Sequence, residues 1–100
     1  MIYHITPKHI WQEQTGDPGF EPPAFTKEGF IHCCTPDQVE GVLNRYFKGV
    51  TNLLMLHIYE SKLDNPLRYE GVPGGEQFPH IYGKINKSAV EQVTAISSTP

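Results

Sequence analysis

The stretch from Thr35 to Gly49 constrains the fold more than any other, because it carries a complete set of helix signals. Thr35 suits the N-cap, Pro36 the first helical position, and Gln38 completes a capping box three residues on. Val39, Val42, Leu43, Tyr46 and Phe47 then recur at helical spacing as one apolar stripe. Lys48 suits the last turn and Gly49 the stop. Cys34, just before the cap, and Val39, at the fourth helical position, form a hydrophobic-staple pair. The spacing predicts one main helix over residues 35–48.

Around it the pattern is one of short strands. Ile2 to Thr6 alternates, with Ile2, His4 and Thr6 on one face and Tyr3 and Ile5 on the other, and Pro7 ends it. Pro7 to Gln12 reads as a helical turn carrying Trp11. Residues 15–27 hold three prolines and two glycines, which predicts a long loop of the kind used as a lid or binding loop. Gly29 to Cys34 reads as a strand, Leu53 to Tyr59 as a central strand apolar on both faces except at His57, and Leu67 to Glu70 as a short strand. Gly71 to Gly75 is a turn, Phe78 to Ile85 an extended stretch, and Val93, Thr94 and Ile96 favour a last strand over Ala89 to Ile96. Many short strands with one good helix give an α+β class: a compact, mostly antiparallel arrangement of sheets.

A chain of 100 residues makes a single domain, 1–100. Its formal net charge of −3 and eight scattered basic residues argue against nucleic acid as a partner. The segment Met1 to Thr6 lacks the basic and long apolar parts of a signal peptide, and Leu53 to Tyr59 is too short to span a bilayer. Cys33 and Cys34 are adjacent, a spacing that strains a disulfide, so they are expected as free thiols in a reducing compartment. These readings predict a cytoplasmic protein with no membrane partner.

Five histidines, His4, His9, His32, His57 and His80, supply groups that titrate near neutrality and bind metals. His32 and His80 stand out because each lies in a strand-like segment with an aromatic residue and a glycine, where a ligand can approach closely. A two-histidine, one-carboxylate metal centre drawn from His4, His32, His57 and His80 with Glu70 is a third-ranked reading, since no local ligand spacing supports it. Alternation puts His32 and Cys33 on opposite faces, so a cysteine–histidine pair is not expected there. Among the charges, Glu70 and Arg45 are the candidates for work at a site, with Glu76 and Glu28 as competing carboxylates.

The run IYHIT at 2–6, Trp11, EGFIHC at 28–33, NRYFKG at 44–49 and the pair GGE and FPHIYG within 74–83 closely resemble the domain-of-unknown-function 952 family of small bacterial proteins. One departure is Cys34, where the family typically has serine after the His-Cys pair. The resemblance implies a fold similar to that of ADP-ribosyltransferases, in which a split antiparallel sheet holds NAD in a cleft. On that analogy His4 and Thr6 would hold a ribose, and Tyr82 or Trp11 would stack on a ring. Glu70, with His80, would do the catalytic work, and His32 or Arg45 would meet pyrophosphate. The function so implied is a small-molecule pocket for NAD or another nucleotide, with transferase activity in prospect. The alternative is a non-catalytic ligand-binding or interaction domain.

Overall fold

The computed structural model describes residues 1–71 and 73–96. β1 (Ile2–Pro7) runs into α1 (Lys8–Glu13), with Pro7 as the N-cap. β2 (Gly19–Phe20), α2 (Ala24–Glu28) and β3 (Ile31–His32) follow. After a 3-10 turn at Pro36–Gln38 come α3 (Val39–Tyr46), β4 (Leu53–Ile58), β5 (Leu67–Glu70), β6 (Phe78–Ile81), β7 (Ile85–Asn86) and β8 (Val90–Ile96). The class is α+β, with antiparallel sheets and one main helix. None of the helices is long and apolar enough to cross a membrane, among the described residues.

Three small antiparallel sheets share the chain, in the strand orders β1-β4-β8, β2-β7 and β3-β6-β5. β4 is central in its sheet because both faces of Leu53–Ile58 are apolar and both are covered. On one face Leu56 and Ile58 join Ile2, Phe20, Ile31, Ile81, Ile85 and Ala89 in the larger core. On the other, Leu53 and Ile5 meet the apolar stripe of α3 through Val39, Val42, Leu43 and Phe47. Cys34 belongs to the same cluster as Val39, the two partners of the staple. His57, the one polar residue of β4, bonds Thr94 Oγ1 at 2.9 Å and meets the Tyr3 ring edge-on.

Several boundaries differ from expectation, each for a local reason. Residues 15–27 are not one open loop: Gly19–Phe20 pairs with Ile85–Asn86 and buries Phe20 completely. Burying a phenylalanine side chain is worth about 1.5–3 kcal/mol, enough to override the surrounding turn signals. α2 then starts directly behind Pro22 and Pro23, and Gly29, in the left-handed region at φ 82°, ends it. The strand predicted from Gly29 is therefore shortened to Ile31–His32. The main helix begins with a 3-10 turn and closes at Tyr46, with Gly49 at φ 77° three residues on. Gln38 accepts the Thr35 N–H at 3.0 Å, as the capping box predicts. The extended stretch 78–85 is broken at Gly83, where φ is 151° and a Cβ would lie 2.4 Å from Asn65.

Candidate functional site

The two three-stranded sheets touch at one end and part at the other. β3 lies against β6, and just beyond it Cys34 crosses to β1, exchanging two backbone hydrogen bonds of 2.8 Å with Tyr3. The chain then leaves for the main helix while β1 runs on through Ile5 to Pro7. Antiparallel strands alternate between residues that bond one neighbour and residues that bond the other. Since Tyr3 bonds Cys34, the N–H and C=O of Ile5 also face away from β4, into the gap.

That gap is a cleft of about 660 Å³, within the usual range for small-molecule sites of roughly 300–1,000 Å³. β1 forms its back, Pro22, Pro23 and Ala24 one wall, and Val42, Tyr46 and Phe47 of α3 another. Opposite β1 stand Glu28, His32, Glu70, Phe78 and His80. Among the described residues no Lys or Arg lines it.

Register brings the polar group together. His32 is paired with His80 across β3–β6, and Arg68 with His80 across β5–β6. Alternation puts Glu70, Phe78, His80 and Tyr82 on that same face, away from buried Pro79 and Ile81. His80 Nδ1–H donates to Glu70 Oε1 at 2.9 Å, and Tyr82 O–H donates to the same oxygen at 2.5 Å. These bonds, Tyr82 first, hold the Glu70 carboxyl below the usual carboxylate range, and the bond to Glu70 in turn raises Tyr82. Glu70 Oε2 makes no hydrogen bond among the described residues.

Phe30 completes the cluster. Its ring stacks on His80 with centroids 4.2 Å apart, and His32 meets it edge-on at 4.8 Å. The His32 and His80 rings are 5.0 Å apart, and His32 Nε2–H donates to Glu28, the last residue of α2. Arg68 lies over the Tyr82 ring, 5.4 Å from its centre.

His4 is the other unusual group. It is 7% exposed and donates Nδ1–H to the His32 carbonyl at 2.6 Å, while its Nε2 is buried and, among the described residues, without a partner. Burial pushes its pKa down to about 4, despite that bond. At neutral pH the ring is uncharged, and Nε2 is an acceptor awaiting a donor.

The sequence candidates thus divide. His4, Thr6, His32, Glu70 and His80 all line the cleft, and Tyr82 reaches it through Glu70. Trp11 and Arg45 lie elsewhere: Trp11 packs on Phe20 beneath Lys87, and Arg45 borders a small hollow with Asp37 and Glu76. The two-histidine, one-carboxylate metal set does not assemble: His57 bonds Thr94 on the far sheet, and no three His, Cys, Asp or Glu converge to hold a metal ion among the described residues. Phe30, Tyr3 and Arg68 went unmarked in the sequence. Phe30 lies within the EGFIHC run, but only register shows what it covers.

Residues 5–93 match the family described as "Protein of unknown function (DUF952)". The chain belongs to the DUF952 family. Its fold is similar to the crystal structure of protein CC0527 from Caulobacter crescentus, with 28% identity, a TM-score of 0.86, and coverage of 96% of this chain and 85% of that one. The solution NMR structure of CC0527 gives a TM-score of 0.81 at 28% identity, covering 96% of this chain and 84% of that one. No curated protein matches. The family description and the CC0527 structures support the fold of this chain and name no activity.

Proposed function

We propose that this cleft binds a nucleotide of the NAD type, with Glu70 as the carboxylate that faces its sugar. The observation that carries the reading is the state of Glu70: one oxygen is fixed by Tyr82 and His80, while the other, among the described residues, is unbonded beside a mostly apolar cleft. Breaking the bond between ribose and nicotinamide builds positive charge on the sugar. A carboxylate already ionised and held in place stabilises that charge without reorganising. The parting of two sheets beyond Tyr3 and Cys34 supports the comparison with ADP-ribosyltransferases, which is an analogy of fold.

In this reading His4 and Thr6, which share a strand face and line the cleft, hold the ribose. The stacking role belongs to Tyr3 or Phe78, which line the cleft, rather than to Trp11. His32 is the group left to meet phosphate, because Arg45 stands outside. The two free thiols, Cys33 and Cys34, suit a reducing compartment such as the cytoplasm.

Thermal unfolding with NAD, ADP-ribose and nicotinamide tests the binding. A ligand at 100 times its Kd stabilises the native state by about 2.7 kcal/mol; no shift with any of the three overturns the reading. If NAD binds, Glu70→Gln should abolish release of nicotinamide while leaving binding and melting temperature near wild type. A variant that loses stability and turnover together assigns Glu70 a structural role.

A second reading draws on the missing cations. With no Lys or Arg among its described lining residues, the cleft also suits an uncharged ligand held without chemistry. Stabilisation by nucleosides and not by nucleotides would favour this binding-only role.

A further inference from the structure

We propose that His32 and His80, two of the histidines from which the sequence drew a metal set, together bind a divalent transition-metal ion of the zinc type without a third protein ligand. The argument starts from register. His32 and His80 are directly opposed on β3 and β6, and their ring centres are 5.0 Å apart. Two imidazoles sharing a tetrahedral ion, each nitrogen at about 2.0–2.1 Å from the metal, hold their ring centres roughly 5 Å apart.

Each ring also has the hydrogen bond that metal-binding imidazoles carry on their rear nitrogen. Glu28 takes the Nε2–H of His32, and Glu70 takes the Nδ1–H of His80. A carboxylate in that position fixes the tautomer, orients the ring and makes the front nitrogen a better donor of electrons. The front nitrogens, Nδ1 of His32 and Nε2 of His80, have no hydrogen-bond partner among the described residues. Phe30 packs on both rings and restricts their rotation. Arg68, which faces His80 across β5–β6, sits over Tyr82.

Among the described residues no third His, Cys, Asp or Glu converges with this pair, so the ion would keep open positions for water or a ligand oxygen. That has a consequence which rests on the nucleotide reading, whereas ion binding itself does not. Both histidines line the cleft, whose described lining offers phosphate no Lys or Arg. An ion held there would supply the positive charge that a phosphate requires.

The test uses the untagged full-length chain, stripped with a chelator and titrated with zinc chloride, then nickel sulfate, by calorimetry. ¹⁵N NMR of the imidazoles follows the same titration. The expected result is one ion per chain, with the shifts concentrated at Nδ1 of His32 and Nε2 of His80. His32→Gln and His80→Gln should each weaken binding at least tenfold, and Glu70→Gln by about 10- to 100-fold. Absence of saturable binding below about 1 mM overturns the proposal, as does wild-type affinity in both histidine variants. The NMR shifts, read on the wild type, decide the matter even where a variant fails to fold. Zinc binding at this pair with no NAD shift, in the presence or absence of zinc, would keep the metal site and remove the nucleotide reading. An NAD shift with no metal bound would do the reverse.

Discussion

Tyr3 and Cys34 exchange two backbone hydrogen bonds of 2.8 Å at the point where the two three-stranded sheets meet. Everything specific to the cleft follows from the chain leaving this contact. Cys34 must turn at once into the Thr35 cap, so it cannot accompany β1 any further, and Ile5 is left facing a gap. The sheet splits because a helix start was written directly behind a strand.

That relationship predicts an uneven pattern of amide exchange along β1. The Tyr3 and Cys34 amides should exchange slowly, near the rate set by global opening. The Ile5 amide, two residues along the same strand, should exchange faster, because it points into the cleft. Hydrogen exchange followed by NMR checks this directly. Equal protection at Tyr3 and Ile5 would mean that the gap is closed in solution.

His4 predicts an acid-sensitive fold. Its folded pKa, about 4, lies below its ordinary value of 6.5. The unfolded chain therefore takes up the proton first as pH falls. The stability from keeping His4 neutral is complete above pH 6.5 and is lost progressively as pH drops towards 4, below which both states are protonated. A shift of this size is worth about 3 kcal/mol at most. Urea unfolding between pH 7.5 and pH 4 should show the decline, and His4→Gln should flatten it.

The Glu70 cluster predicts a titration. The Tyr82 hydroxyl is the largest influence holding the Glu70 carboxyl down, ahead of His80. Tyr82→Phe keeps the ring but removes that bond, so the Glu70 pKa should rise towards the ordinary carboxylate value. Carbon NMR of the carboxyl group measures it. His80→Gln should shift it in the same direction. No movement in either variant would show that the three side chains do not share the bonds described.

Much of this was legible in the sequence, and what was not has a common cause. The helix signals, the central strand and the strand at Leu67–Glu70 could be read because they depend on neighbours in sequence: caps, periodicity, alternation. His4, His32, Glu70 and His80 could be singled out by residue type and setting, and they line one cleft. Residues 19 and 20 were hidden because their strand exists only through a partner late in the chain, Phe20 lying opposite Ile85, 65 positions away. Phe30, Tyr3 and Arg68 were hidden for the same reason. What they touch is set by pairing between distant strands, on which local pattern is silent. Arg45 and Trp11 show the converse, being chemically suitable residues that the fold directs away from the cleft.

The two cysteines predict inertness despite their exposed-looking neighbourhood of His32 and a helix start. Both are buried, and burial pushes the Cys34 thiol up to about 11 and Cys33 well above its ordinary value. Thiolate is the reactive form, and at pH 8 hardly any is present. Alternation also sends Cys33 into the larger core and Cys34 towards α3, so neither gains from His32 or from the other. A thiol reagent such as dithionitrobenzoate should therefore find neither cysteine in the native protein and both in urea. Its rate of reaction without denaturant should match the rate of global opening read from the slowest amides. One thiol reacting ahead of that limit would mean that β3 peels from β6 on its own, and the site built on His32 would then open with it.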